Sequence, residues 1–198
     1  MIRFNSLNQG EPYLTFKQKY CMALDLGQKN IEAIAISSYN IKQNEVDSRF
    51  VNLKFIDDDK FIFFSNYNSP KASSFNSHDQ IAAVVYWPSI NVQIRMKAKI
   101  KTTSNEYNQK YFFERSEEKN ALAISSKQSK PINSYSQVKE NYNKSLKNDD
   151  LKKCPKFWGG YSFTPYYFEF WEGHESRLNK REVYEKSDDI WKHFILQP

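Results

Sequence analysis

Trp171, Arg177 and Arg181 stand close together near the end of the chain, and residues of these types can bind a flat anion. Glu169 and Trp171 are two residues apart in an apolar run, so they share one face of a predicted strand. Gly173 opens a turn before the arginines. A guanidinium stacks on rings and makes forked hydrogen bonds, while Trp adds a flat apolar surface. This segment therefore indicates a binding site for a planar aromatic anion. For the strand taken alone, the simpler interpretation is a Trp buried in the core beside charges that face water.

Two other places in the chain carry residues suited to phosphate. Pro70 follows Ser69, a good helix-capping residue, and Lys71 falls in the first turn, where free amides and a cation point the same way. Tyr111 and Arg115 are four residues apart and share one face of another predicted helix. A plain helix cap and a solvated helix face are the alternatives at the two places.

The composition excludes several classes of protein. A chain of 198 residues with 39% hydrophobic and 16% aromatic residues can bury a core and is not disordered. The net charge of +6 suits a phosphorylated ligand as well as nucleic acid. A general compositional bias toward Lys accounts for the charge better than either ligand does, so we expect no nucleic-acid partner. Cys21 and Cys154 provide neither a disulfide framework nor a metal site, and no apolar run is long enough to span a membrane. We expect a cytoplasmic protein with no metal and no membrane partner.

The elements that must position the candidate residues are mostly strands. Strict alternation over Asn91–Lys101 predicts a half-buried antiparallel strand. Other strands are predicted at Ile31–Ser38, Ser48–Phe55, Lys60–Ser65, Gln80–Trp87, within Pro155–Arg181, at Arg181–Lys186 and at Trp191–Leu196. Helices are predicted from Glu11 to Gly27 with Phe16, Tyr20 and Leu24 on one face, from Pro70 to Ser77, after a capping box at Thr103 and Glu106, and at Glu117–Ser125 and Ser136–Leu146. Residues 1–10 are expected to form a short mobile arm of a single mainly β domain, 1–198, built as an antiparallel barrel or sandwich with peripheral helices.

Several motifs, in this order along the chain, resemble those of the pyridoxamine 5′-phosphate oxidase family. The family's C-terminal signature, Glu-Phe-Trp and then Arg-Leu-His-Asp-Arg, is similar to Glu169-Phe170-Trp171 and Arg177-Leu178-Asn179-Lys180-Arg181. The Phe-Trp-Gly-Gly run before it is present at Phe157–Tyr161, and Arg49–Lys54 resembles the family's Arg-x-Val-Leu-Leu-Lys strand. The resemblance extends from about Gln28 to Pro198.

The resemblance implies a Greek-key, antiparallel split β-barrel that forms a homodimer with FMN at the subunit interface. Residues 155–198 would serve dimerisation and the flavin site. The implied reaction moves a hydride from pyridoxamine or pyridoxine 5′-phosphate to FMN, gives pyridoxal 5′-phosphate, and uses O2 to form H2O2. The residues implied to bind FMN are Arg49, Phe50, Val51, Asn52, Leu53, Lys54, Phe64, Ser65, Lys71, Gln93, Gln128, Ser129, Trp171 and Arg181.

The same resemblance implies a pocket for the substrate's own phosphate. Lys54, Tyr111 and Arg115 match the family's phosphate-binding residues, and Lys119 stands where relatives have Ser. The implied catalytic residues, which also touch the substrate, are Arg177 and Asn179.

Besides Lys119, the chain departs from the family pattern at three of these places, and the segment before Glu11 is short where relatives use an N-terminal arm to close over the site. Pro70 stands where relatives have an Arg, Phe64 where they commonly have Tyr, and Asn179 where they have a His that can change protonation near neutral pH. Two alternatives therefore stay open. One is a related flavin enzyme acting on another aromatic substrate, as in phenazine pathways, and the other is a non-catalytic flavin- or pyridoxal-phosphate-binding homologue.

Overall fold

Ten strands and five helices make up the fold, and the computed structural model describes all of residues 1–198. The strands are β1 (Arg3–Asn5), β2 (Ala33–Asn40), β3 (Glu45–Asn52), β4 (Phe55–Asp57), β5 (Lys60–Asn66), β6 (Gln80–Trp87), β7 (Val92–Thr102), β8 (Trp158–Glu172), β9 (Lys180–Ser187) and β10 (Ile190–Ile195). The helices are α1 (Glu11–Asp25), α2 (Pro70–Ser77), α3 (Asn105–Glu114), α4 (Glu117–Ser125) and α5 (Tyr135–Asn148).

All ten strands belong to one sheet that branches at β8. Its strand order is β1-β4-β5-β8-β7-β6-β2-β3, and β9 pairs with both β8 and β10. One edge of β8 pairs with β7. Its other edge pairs with β5 up to Phe163 and with β9 from Tyr167 onward. Every pairing is antiparallel except that of β1 with β4. The prediction of a mainly β, antiparallel architecture is confirmed.

Alternation along the strands builds one apolar core. In β7 the inward side chains are Val92, Ile94, Met96, Ala98 and Ile100, all buried as their spacing predicts. They belong to a cluster of 28 buried residues. Helix α1 closes part of this core with Phe16, whose ring meets Phe61 and Trp87 edge-on, a favoured aromatic geometry. The sheet face opposite the core is therefore free to carry polar side chains.

The expectation of a mobile arm over residues 1–10 is wrong. Ile2 is buried, and Arg3 N donates to Lys54 O at 2.9 Å as β1 pairs in parallel with β4. This pairing joins residues about fifty positions apart, so no local pattern announces it. The first residues therefore form an edge of the sheet next to the candidate site.

Three predicted element details also differ. The strand predicted over Ser48–Phe55 is two strands, β3 and β4, separated after Asn52 where Leu53 turns into the core. β3 pairs with β2, whereas β4 pairs with β5. Helix α3 is capped by Ser104, whose Oγ accepts from Tyr107 N, while the predicted Thr103 hydroxyl donates to Asn108. In α1 the core position falls on Ala23, and Leu24 is exposed.

Candidate active site

A cavity of about 610 Å³ lies between the end of β3, strand β5 and the α3–α4 connection. It brings together residues from widely separated stretches of the sequence. The predicted site residues that line it are Phe50, Val51, Asn52, Lys54, Phe64, Ser65, Lys71, Tyr111, Arg115, Lys119 and Gln128. Both the implied FMN set and the implied substrate-phosphate set contribute to this one space.

One part of the cavity is strongly cationic. Arg115 lies over the Trp158 ring at 4.4 Å, and its Nη2 donates to Lys119 O at 3.1 Å. Its Nη1 is buried without any hydrogen-bond partner. Burial lowers the pKa of Lys54, and the positive charges of Lys119 and Arg115 lower it further, although Glu32 opposes them. Three cations that disfavour one another can share one anion.

An aromatic wall lies beside these cations. Phe64 stacks on Tyr111 with ring centroids 4.0 Å apart and on Trp158 at 5.1 Å. Burial raises the pKa of Tyr111, so its hydroxyl remains a neutral donor near pH 7. The wall offers flat apolar surface to a ring whose phosphate reaches the cations.

The helix start at Lys71 forms the other part of the cavity. Lys71 is only 8% exposed and makes no ion pair or side-chain hydrogen bond. Burial lowers its pKa, and the nearby charge of Arg49 lowers it further. The Ser65 hydroxyl donates to Gln128 Oε1 at 3.3 Å, which joins β5 to the loop after α4. A buried cation without a carboxylate partner can bind an anion.

Three residues of the implied FMN set lie near this cavity without lining it. Arg49 is tied by Nη1 to Ile36 O and Ser38 Oγ and by Nη2 to Asp47. Ser129 lines a separate cavity of about 430 Å³. The Leu53 side chain is fully buried in the core, so it cannot touch a ligand in the cavity.

A second group of predicted residues lies elsewhere in the chain. Gln93, Trp171 and Arg181 are cross-strand partners in a single row over β7, β8 and β9. Arg177 and Asn179 occupy the turn between β8 and β9, where Arg177 has a left-handed backbone with φ of 60°. Asn179 Oδ1 accepts from His174 N at 3.0 Å. None of these five residues lines the 610 Å³ cavity.

Several residues of the cavity have no site role among those predicted from the sequence. Trp158 carries the stacked Arg115, and the Phe-Trp-Gly-Gly motif was the available signal for it. Arg3, Glu32 and Glu114 also line the cavity, and nothing in their local sequence indicates this. No group of three or more His, Cys, Asp or Glu side chains is arranged to hold a metal ion. No helix combines the length and the apolar character needed to cross a membrane.

Solved structures share this fold. The crystal structure of PhzG from Burkholderia lata 383 in complex with tetrahydrophenazine-1-carboxylic acid superposes with a TM-score of 0.89 at 24% identity, over 95% of this chain and 93% of that one. A pyridoxamine 5′-phosphate oxidase-related, FMN binding protein from Nostoc punctiforme superposes with a TM-score of 0.78 at 12% identity, over 96% of this chain and 100% of that one. At these identities the likeness concerns the fold, and it confirms the predicted split barrel.

Sequence comparison defines the family. Residues 158–198 match the pyridoxine 5′-phosphate oxidase C-terminal dimerisation region. The chain is 34% identical over 194 residues to the pyridoxine/pyridoxamine 5′-phosphate oxidase of Christiangramia forsetii, covering 95% of this chain and 89% of that protein. It is 31% identical over 194 residues to pyridoxine/pyridoxamine 5′-phosphate oxidase 1 of Hydrogenovibrio crunogenus, covering 96% and 89%. The resemblance seen in the motifs is thus confirmed, and the chain belongs to the pyridoxine/pyridoxamine 5′-phosphate oxidase family.

Proposed function

We propose that this protein is an FMN-dependent oxidase that converts pyridoxine or pyridoxamine 5′-phosphate into pyridoxal 5′-phosphate. The observation that carries the proposal is Arg115, which lines a cavity together with Lys54 and Lys119 and whose buried Nη1 has no hydrogen-bond partner in the chain. Leaving a buried charged donor unpaired is costly, and a phosphate dianion would supply the missing acceptor. The adjoining wall of Phe64, Tyr111 and Trp158 suits the aromatic ring of such a substrate. The named activity of the two relatives agrees with this reading.

The residues present also fit the phosphate of FMN. Lys71 is a buried cation without an ion pair, next to Arg49 and at the first turn of α2. Ser65 and Gln128 add a hydroxyl and an amide beside it. Pro70, at the first helical position, has no N–H to offer and replaces a cation of the family pattern. We infer that Lys71 meets the phosphate directly with Ser65 and Gln128 beside it, while Arg49 adds positive charge from its place next to the cavity and Ser129 follows Gln128 as a further neutral donor.

We further propose that the active unit is a homodimer. The row of Gln93, Trp171 and Arg181 lies outside the cavity that holds the other predicted residues, so one protomer presents an incomplete site. A two-fold axis that brings the row of one protomer to the cavity of its partner would complete two equal sites. The match of residues 158–198 to a dimerisation region supports this arrangement. So does Phe50 at the cavity edge, which is 75% exposed in the single chain.

In the proposed mechanism this chain binds and orients the reactants. FMN, when bound, supplies the two-electron acceptor that O2 restores with formation of H2O2. Lys54, Arg115 and Lys119 hold the substrate phosphate, and the Tyr111 hydroxyl donates to it. The aromatic wall excludes water from one side. Fixing the substrate in a reactive orientation is itself a large contribution to catalysis.

The turn between β8 and β9 supplies the proposed catalytic pair, Arg177 and Asn179. Asn179 Oδ1 accepts from His174 N, and the side-chain N–H groups of Asn179 make no hydrogen bond within the chain, so they are free to donate to a substrate. An amide cannot change protonation, so Asn179 can orient the substrate but cannot carry a proton.

The reducing cytoplasm that we infer as the location agrees with the free thiols of Cys21 and Cys154.

The direct test is the visible spectrum of the purified protein, followed by addition of pyridoxine 5′-phosphate without oxygen. We expect a yellow protein whose flavin band disappears with the phosphorylated vitamer and returns with air, together with H2O2. Unphosphorylated pyridoxine is the matched control and should act far more weakly. A protein that stays colourless after incubation with FMN would refute the proposal. A yellow protein that no vitamer bleaches would favour the non-catalytic alternative.

A further inference from the structure

Glu169 is a buried carboxylate on the sheet face that otherwise carries exposed polar side chains. Only 2% of its surface is exposed, although its neighbours along this face of β8, Tyr167 and Trp171, are half-buried. A carboxylate in such a place needs donors that compensate for the lost water. The surrounding strands supply four of them.

Each carboxylate oxygen of Glu169 binds one arginine. Oε1 accepts from Arg181 Nε at 2.9 Å and lies 2.8 Å from Arg181 Nη2. Oε2 accepts from Arg95 Nη1 at 3.0 Å and from the Tyr167 hydroxyl at 3.1 Å. Burial and the negative charge of Glu169 raise the pKa of Tyr167, which keeps this hydroxyl a donor. Every acceptor site of the carboxylate is thus directed at a donor from β7, β8 or β9.

The consequence for Arg181 is a fixed guanidinium. Its third interaction is from Nη1 to Gln197 O at 2.9 Å, so three of its nitrogens are held from two sides. Two N–H groups remain free, one on each terminal nitrogen. Arg181 is also the direct cross-strand partner of Trp171, which in turn pairs with Gln93. The carboxylate therefore determines where the free N–H groups of this row point.

We propose that Glu169 is a positioning residue that fixes Arg181 for contact with the flavin ring at the subunit interface. This inference rests on the proposed function, because it requires that the row of Gln93, Trp171 and Arg181 meets FMN. It adds a group that does not itself touch the cofactor and acts through Arg181. The site residues implied by the motifs do not include it.

The direction in which FMN affinity changes when Glu169 is replaced distinguishes a positioning role from a purely electrostatic one. FMN is an anion, so a carboxylate that only added negative charge nearby would weaken FMN binding, and its neutralisation would tighten it. A carboxylate that aims Arg181 has the opposite effect, because its loss leaves the guanidinium free to move. Both arginines are partly exposed and can reach water when Glu169 is replaced, so the fold should tolerate the change.

The test measures FMN affinity by quenching of flavin fluorescence on the apoprotein, with the melting temperature of each variant. Glu169→Gln removes the charge and sets an amide against the two guanidiniums. Glu169→Asp keeps the charge but moves the carboxylate oxygens away from the two arginines, because the side chain is one methylene shorter. This variant tests the positioning role if the Gln variant does not fold. We expect both to bind FMN about ten-fold more weakly, the loss of roughly one charge-assisted hydrogen bond.

Glu182→Gln is the matched control. Glu182 follows Arg181 in β9 and carries the same charge, but it pairs with Lys180 and His193. Its replacement should leave FMN affinity within about two-fold, as for an ordinary surface change. In an Arg181→Gln background, Glu169→Gln should cause no further loss, because the path through Arg181 is already gone.

Tighter or unchanged FMN binding in the Glu169 variants would overturn the inference, and so would losses that add in the double variant. Those results would leave the proposed function intact. Failure of the unmodified chain to bind FMN would refute both. The two proposals can therefore fail separately.

Discussion

Arg115 is the residue whose replacement tests the phosphate pocket most sharply. Its guanidinium combines a stack on Trp158 at 4.4 Å with a buried Nη1 that has no partner within the protein. Arg115→Ala removes both the charge that would meet the substrate phosphate and the forked donor geometry. A hydrogen bond to a charged group contributes about 1.5–3 kcal/mol. We therefore expect KM for pyridoxine 5′-phosphate to rise by about 10- to 150-fold.

The pattern of the kinetic constants matters as much as the size of the change. The phosphate stays bound through the reaction, so its contacts stabilise the substrate and the transition state alike. Loss of such uniform binding raises KM and leaves kcat nearly unchanged. Steady-state H2O2 production at varied vitamer concentration measures both constants. Arg115→Lys should be intermediate in KM, because it keeps a charge but cannot reproduce the fork or the stack.

The control is Lys110→Ala, which removes an exposed cation from α3, the helix that ends just before Arg115, at a position that does not line the cavity. It should leave KM unchanged apart from small effects of net charge. If Arg115→Ala binds the phosphorylated vitamer as well as the parent does, the cavity is not the phosphate site. The alternative of another aromatic substrate would then gain support.

Three further predictions concern the rest of the site. Lys71→Gln should weaken FMN binding by at least about ten-fold, because it removes a buried charge that only an anion can pair, and fluorescence quenching would measure this. Burial and neighbouring charges lower the pKa of Lys54, so its protonated form opposes folding at low pH; this cost begins to fall as pH rises through the lowered pKa and is gone above the ordinary pKa of a lysine. A bound phosphate stabilises the protonated form of Lys54 instead. Affinity for pyridoxal 5′-phosphate, followed by absorbance, should therefore fall as pH rises through the lowered pKa of Lys54. Lys54→Arg should move this loss of affinity to higher pH. Gly159→Ala should destabilise the fold by about 1–3 kcal/mol through overpacking, because a Cβ would overlap the Tyr67 hydroxyl and the Asn108 amide; an unchanged urea midpoint would contradict this.

The parts of the fold that sequence predicts well are those determined by local periodicity. The alternation of β7 identifies its buried face residue by residue, and apolar side chains every fourth residue place α1. The pairing of β1 with β4 was missed because its stability depends on a partner about fifty residues away. The division at Leu53 was missed for a related reason, since one buried side chain redirects a strand that is otherwise continuous in pattern.

The candidate site shows the same limit at a finer scale. Motifs identify Lys54, Arg115 and Lys71 as residues for phosphate, and the structure places all three around one cavity. The role that we propose for Glu169 depends instead on strand register, which sets it beside Arg95, 74 positions earlier in the chain. From sequence, Glu169 can be assigned to the face of Trp171 but not to its charge partners. Residues that act through others are therefore recognisable only once neighbouring strands are aligned, and the Glu169 variants ask whether such a residue also controls how tightly the cofactor is held.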